Sequence, residues 1–150
     1  MNPSCNIYQK ARNSKGLTQE RAAELLNIST RALAGYESGE RFPPDHVVVQ
    51  MLDIYDTQVL AVQHLRQSAY LASCVIPDVP DLCLSQAALT LIDAIYDFAD
   101  DKLDRQLIEI ARDGIISEEE RPQFDRIVHK IGAITSAAYA LVYARQDGRK

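Results

Sequence analysis

Residues 17–43, LTQERAAELLNISTRALAGYESGERFP, constrain this chain more than any other stretch, because they spell two short helices joined by one tight turn. Thr18 can cap the first helix with its hydroxyl, and Ala22, Ala23 and Leu26 give that helix an apolar face. Asn27 stands where the chain must turn sharply into Ile28, and Ser29 caps the second helix. Leu33 and Tyr36 lie three apart on that second helix and point inward with Ile28. Thr30, Arg31, Ala34 and Gly35 are left for its outer surface.

Such a pair is a helix-turn-helix, whose exposed second helix suits a DNA major groove. The flanks extend it. Ile7, Tyr8 and Ala11 predict a helix over about residues 4–14, ended by Lys15 and Gly16. Pro43 and Pro44 open a fourth helix with Val48, Met51, Leu52 and Tyr55 inward. Asp56 marks a break, and Thr57 caps a fifth helix through Val59, Leu60, Ala61, Leu65 and Leu71. Residues 1–72 are therefore expected to form a five-helix DNA-binding domain. Pro77 and Pro80 interrupt a stretch of little periodicity, so residues 73–84 are expected to be a linker.

From Ser85, a candidate N-cap, apolar residues recur at helical spacing through Leu91, Ile92, Ile95, Phe98, Leu103, Leu107 and Ile110. The pattern predicts one helix of about seven turns, ended at Asp113 and Gly114. Ser117 and Glu120 then make a capping box, with Pro122 in the first turn of a helix carrying Phe124, Ile127, Val128, Ile131, Ile134, Ala138, Leu141 and Val142. Residues 85–150 thus read as a long antiparallel helical hairpin, and the fold class is all-α. Its apolar faces are too wide for two helices to cover. A homodimer, or a tetramer, is expected to bury Leu91, Ile95, Phe98, Ile127, Ile131, Ile134, Ala138 and Leu141, with alanines at 133, 137, 140 and 144 allowing close approach.

With 150 residues, 47% of them hydrophobic and 25% charged, the chain can bury one modest core or two small ones. No charged leader precedes an apolar stretch, and no apolar run approaches the roughly eighteen residues a bilayer demands, so a cytoplasmic protein with no membrane partner is expected. Cys5, Cys74 and Cys83 match no zinc or redox spacing and are expected to be reduced, mostly buried thiols. The net charge is −5, and residues 1–65 hold six Lys or Arg against seven acids. Only Lys15, Arg31 and Arg41 cluster near the exposed helix. Weak non-specific DNA affinity and a shallow salt dependence are therefore expected.

Leu17-Thr18-Gln19-Glu20, Ala23-Glu24, Leu26-Asn27-Ile28-Ser29 and Tyr36-Glu37-Ser38-Gly39-Glu40-Arg41-Phe42-Pro43 match, in order and spacing, the usual run of the Cro/CI-type helix-turn-helix repressors. The chain resembles that family over about residues 4–66. The resemblance implies that Gln19 contacts the DNA backbone and a base edge, and that Thr30 and Arg31 are the first exposed positions of the recognition helix. Ser29, Ala34, Lys15 and Arg41 complete the expected DNA-binding set. Arg31 suits a bidentate contact with guanine. The resemblance also implies a partly buried ion pair between Arg12 and Glu37. Gly35 and Glu40 depart from the family, which often has a longer side chain at the first position and a cation at the second.

Other chemistries find little support. Asp93, Asp97, Asp101 and Asp104 share one helix face, and Asp100-Asp101-Lys102-Leu103-Asp104 spells the DDxxD of isoprenoid synthases, but the chain lacks their second metal motif and their length. A solvated acidic face is the plainer reading. Asp113-Gly114 with Ser117 and Glu120 lacks the upstream ligands of a calcium loop. His46, His64 and His129 fall in no metal pattern and are expected at the surface or in caps. No nucleophile pattern or phosphate loop occurs, so neither an enzyme nor a cofactor is expected. The sequence points to a sequence-specific, repressor-like transcriptional regulator that binds double-stranded DNA as a dimer. The alternative is an antitoxin-like or anti-repressor-like protein that captures a protein partner on its acidic hairpin and binds DNA weakly or not at all.

Overall fold

The computed structural model describes residues 6–145. The chain is all-α, and among the described residues the single β contact is an isolated bridge between Cys83 and Arg145. It divides into two compact units, one ending at Asp78 and the other starting at Val79.

The first unit holds α1 (Ile7–Ser14), α2 (Gln19–Leu25), α3 (Thr30–Glu37), α4 (Asp45–Tyr55), α5 (Val59–Ser68) and α6 (Tyr70–Val75). Local chemistry sets the first three. Asn6 caps α1 by accepting from the Tyr8 amide at 2.9 Å. Thr18 caps α2 by accepting from the Arg21 amide at 3.2 Å, and Ser29 caps α3 by accepting from the Ala32 amide at 3.1 Å. Between α2 and α3, Asn27 takes the left-handed conformation at φ 53°, which Asn tolerates better than most residues. Gly16 ends α1 at φ 71°. Tyr8, Ala22, Ala23, Leu26, Leu33, Tyr36, Met51, Tyr55 and Leu60 then close over one core.

Several local expectations change. The start of α1 expected at residue 4, and Cys5, lie outside the described residues. Thr57 does not cap α5: the helix starts at Val59 after Gln58, and the Thr57 hydroxyl is buried without a partner among the described residues. The fifth helix stops at Ser68 because Ala69 is extended, at φ −125° and ψ 117°. A further short helix, α6, takes residues 73–75 from the expected linker and ends ahead of Pro77, whose ring disfavours helical backbone at Ile76. Leu65 and Leu71 lie on the surface rather than in the core. Cys74 is exposed and Cys83 half-buried, so the thiols are not mostly buried.

The second unit holds α7 (Leu84–Asp100), α8 (Leu103–Ile110) and α9 (Arg121–Val142). Antiparallel pairing of α7 and α9 brings Arg126 to Asp101 at 2.7 Å near one end and Cys83 to Arg145 at the other. The single seven-turn helix expected here is broken. Lys102 adopts the left-handed conformation at φ 54°, costing on the order of 1 kcal/mol, and separates α7 from α8. The break turns α8 so that Leu103 and Ile110 reach Ile127 and form a small core with Phe98, Leu107, Ile116 and Phe124 around it. Burial of those side chains offsets the backbone cost. The N-cap of α7 is Cys83 rather than Ser85. The Gln86 side chain accepts from the Cys83 amide at 3.3 Å. The Ser117–Glu120 box forms one turn ahead of α9: Glu120 accepts from the Ser117 amide at 3.0 Å, and the Ser117 hydroxyl oxygen accepts from the Glu120 amide at 3.3 Å.

Candidate nucleic-acid interface

The candidate recognition surface is α3 together with the turn that follows it. Thr30 and Arg31 are exposed in its first turn, while Leu33, Tyr36 and Glu37 are buried. Ala34 is half-buried, and the Ser29 hydroxyl is engaged in the cap. Among the described residues Arg31 forms no ion pair, so its guanidinium is available for an external acceptor. Lys15 instead meets Asp56 at 3.3 Å, in an exposed pair worth only a fraction of a kcal/mol, on the order of 0.5, and therefore easily exchanged for a phosphate.

Behind α3 stands a buried charge pair. Arg12 donates from Nε and Nη2 to the two Glu37 carboxylate oxygens at 2.6 and 2.9 Å, and from Nη1 to the Leu17 carbonyl at 2.6 Å. Both side chains are below one-tenth exposed. The hydrogen bonds to Glu37 hold the Arg12 guanidinium pKa above its usual value against the opposing effect of burial. Burial raises the pKa of Tyr55, and the negative charge of Glu37 raises it further. The bidentate geometry fixes the orientation of α3 relative to α1, and so the direction in which Arg31 projects.

Gln19 joins this pair. Its amide donates to Glu37 Oε2 at 2.8 Å, tying the start of α2 to the end of α3. The resemblance implied only a DNA contact for Gln19, whereas in the structure its side chain is engaged by Glu37. Gly35, expected on the outer surface, is instead buried beneath Arg41. The Arg41 amide donates to the Gly35 carbonyl at 3.3 Å, and its guanidinium carbon lies 5.0 Å from the centroid of the Tyr36 ring.

His64 departs most from expectation. It is buried between helices, with Nδ1 2.8 Å from the Tyr8 hydroxyl and Nε2 3.4 Å from Asp45 Oδ1. Burial pushes the Tyr8 phenol up to about 12. The signal was present in the sequence, since His64 falls four residues after inward-facing Leu60 on the same face of α5.

In the second unit, the expected dimer residues separate. Ile127 is fully buried in the intramolecular core and Phe98 packs against that core, so Ile127 has nothing left to offer another chain. Leu91, Ile134, Ala138 and Leu141 are half-buried, while Ile95 and Ile131 are 43% and 40% exposed. Exposed apolar residues outside the expected set include Leu89, Ile92 and Tyr96 on α7 and Val128 and Val142 on α9. Their spacing on a second stripe of each helix was the available signal. On the acidic face, Lys130 meets Asp97 at 3.3 Å and Asp101 at 3.9 Å, while Arg126 takes Asp101. No group of three or more metal-ligating side chains occurs among the described residues.

A family model described as a helix-turn-helix domain matches residues 9–67. This stretch is a helix-turn-helix domain. Its motif consists of α2, the Asn27 turn and α3, consistent with the Cro/CI type. The domain match runs from within α1 to the last residues of α5 and stops before α6. No curated protein and no solved structure gives a match to this chain. No helix among the described residues is long and apolar enough to cross a membrane.

Proposed function

We propose that this chain is a cytoplasmic, sequence-specific transcriptional regulator of the repressor type, which reads double-stranded DNA through α3 and acts as a dimer. The observation carrying this reading is Arg31, exposed in the first turn of the recognition helix and without an ion-pair partner among the described residues. Thr30 beside it and Arg41 at the far end extend the contact surface, and Lys15 joins once released from Asp56. In this reading Gln19 retains one amide hydrogen and its carbonyl for DNA while Glu37 holds the rest of the group. The absence of catalytic or cofactor-binding patterns in the sequence supports a non-enzymatic role.

Fluorescence anisotropy with the duplex from immediately upstream of the gene and a scrambled duplex tests the reading. Arg31→Ala is expected to weaken binding to the upstream duplex by about 10- to 100-fold, the range for one bidentate base contact, with circular dichroism unchanged. Equal, feeble binding of the unaltered protein to both duplexes would sink it and favour capture of a protein partner. That second reading draws on the acidic stripe of α7, yet Asp97 and Asp101 are already met by Lys130 and Arg126.

Dimerisation rests on the exposed apolar side chains of α7 and α9, which a second copy would cover, and on the two half-sites that a two-fold repressor spans about 34 Å apart. Ile95→Glu combined with Ile131→Glu is expected to shift the sedimenting species from dimer to monomer while leaving helix content intact. An unchanged species would remove these faces from the interface.

A further inference from the structure

Gly35 is an anomaly in a helix of eight residues, where glycine is less favourable than alanine. Its φ is not positive, so no backbone requirement accounts for it. The surroundings of the missing side chain do. A Cβ built on Gly35 would lie 3.2 Å from Arg41 Nε and 3.8 Å from Arg41 Cγ, with Glu40 Oε2 at 3.6 Å. The first distance is tighter than ordinary van der Waals contact, so the arginine would have to give by a few tenths of an ångström.

Arg41 is thus held at three places. Its amide bonds to the Gly35 carbonyl, its aliphatic stem crosses the bare Cα of Gly35, and its guanidinium lies over the ring of Tyr36. Among the described residues it forms no ion pair, and the residue is exposed. A free arginine side chain loses rotamer entropy when it is immobilised. One already laid along a groove in its own helix has surrendered part of that entropy before any ligand arrives.

We propose that Gly35 is a positioning residue for DNA binding: the absence of its side chain opens the groove that holds Arg41 ready to contact a backbone phosphate at the end of the recognition helix. This rests on the DNA-binding reading above. Arg41 then supplies from the following turn a cation that α3 itself lacks beyond Arg31. A phosphate contact carries no base information, so the effect is the same on every duplex.

The sign of the expected result separates this role from a structural one. Gly35→Ala removes a helix-interior glycine, so the melting temperature is expected to hold or rise. Affinity for the upstream and scrambled duplexes is expected to fall by about three- to tenfold on both, with the slope of log K against log salt shallower by about 0.9, the value for one lost phosphate. Arg41→Gln, which keeps the stem as far as Cδ and removes the charged guanidinium, is expected to give the same uniform loss. In the Arg41→Gln background, Gly35→Ala is expected to add nothing, the non-additivity of two changes acting through one contact.

If the unaltered protein binds neither duplex, the DNA reading falls and this inference with it. If it binds and Arg41→Gln weakens it while Gly35→Ala leaves affinity and salt slope unchanged, the groove is overturned and the DNA reading stands. If Arg41→Gln has no effect, Arg41 is not a contact and the inference is again overturned alone.

Discussion

Glu37→Ala is expected to destabilise the helix-turn-helix domain by about 3–5 kcal/mol, the cost of leaving one member of a buried ion pair uncompensated. The carboxylate receives Arg12 twice and Gln19 once, so its removal strands a guanidinium with only the Leu17 carbonyl and leaves the Gln19 amide without its acceptor. The chain has no tryptophan, so hydrogen exchange at the amides of Leu33 and Tyr36 under rising urea is the appropriate measurement. A loss below about 1 kcal/mol would show that the pair is far better solvated than its burial indicates. Replacing both partners together, Arg12→Met with Glu37→Leu, is expected to recover most of the stability, because no charge then remains buried. Loss of DNA binding in the single variant reports a misdirected α3 rather than a missing contact.

The second large effect is expected at Ile127→Ala, about 2–4 kcal/mol and confined to the second unit. Ile127, Leu103 and Ile110 are the buried residues of this unit's apolar cluster, so truncating one opens a cavity that few neighbours can fill. Exchange protection should fall in α8 and α9 while that of α1 to α5 persists, since the two units are compact by themselves. A uniform loss across both units would show that they unfold together.

The helix-turn-helix frame was legible because its determinants are local. Thr18 and Ser29 cap the helices they precede, Asn27 takes the turn conformation it tolerates, and the inward spacing of Leu26, Leu33 and Tyr36 leaves Thr30 and Arg31 outside. The capping box at Ser117 and Glu120 was visible for the same reason. The break at Lys102 was not. A lysine carries no turn signal, and the apolar period continues through it, so sequence alone favours one long helix.

What the sequence by itself determined was therefore the order of the first five helices, the caps of α2 and α3 at Thr18 and Ser29, and the exposure of Thr30 and Arg31. What only the tertiary structure decided was which side chains meet across elements: the burial of His64 against Tyr8, Gln19 reaching Glu37, Ile127 spent in an internal core, and Arg41 lying across Gly35. Caps and turns depend on residues a few positions apart, whose geometry the backbone fixes. Long-range contacts depend on the angle at which helices pack, and a break of one residue, as at Lys102, redirects every side chain that follows it.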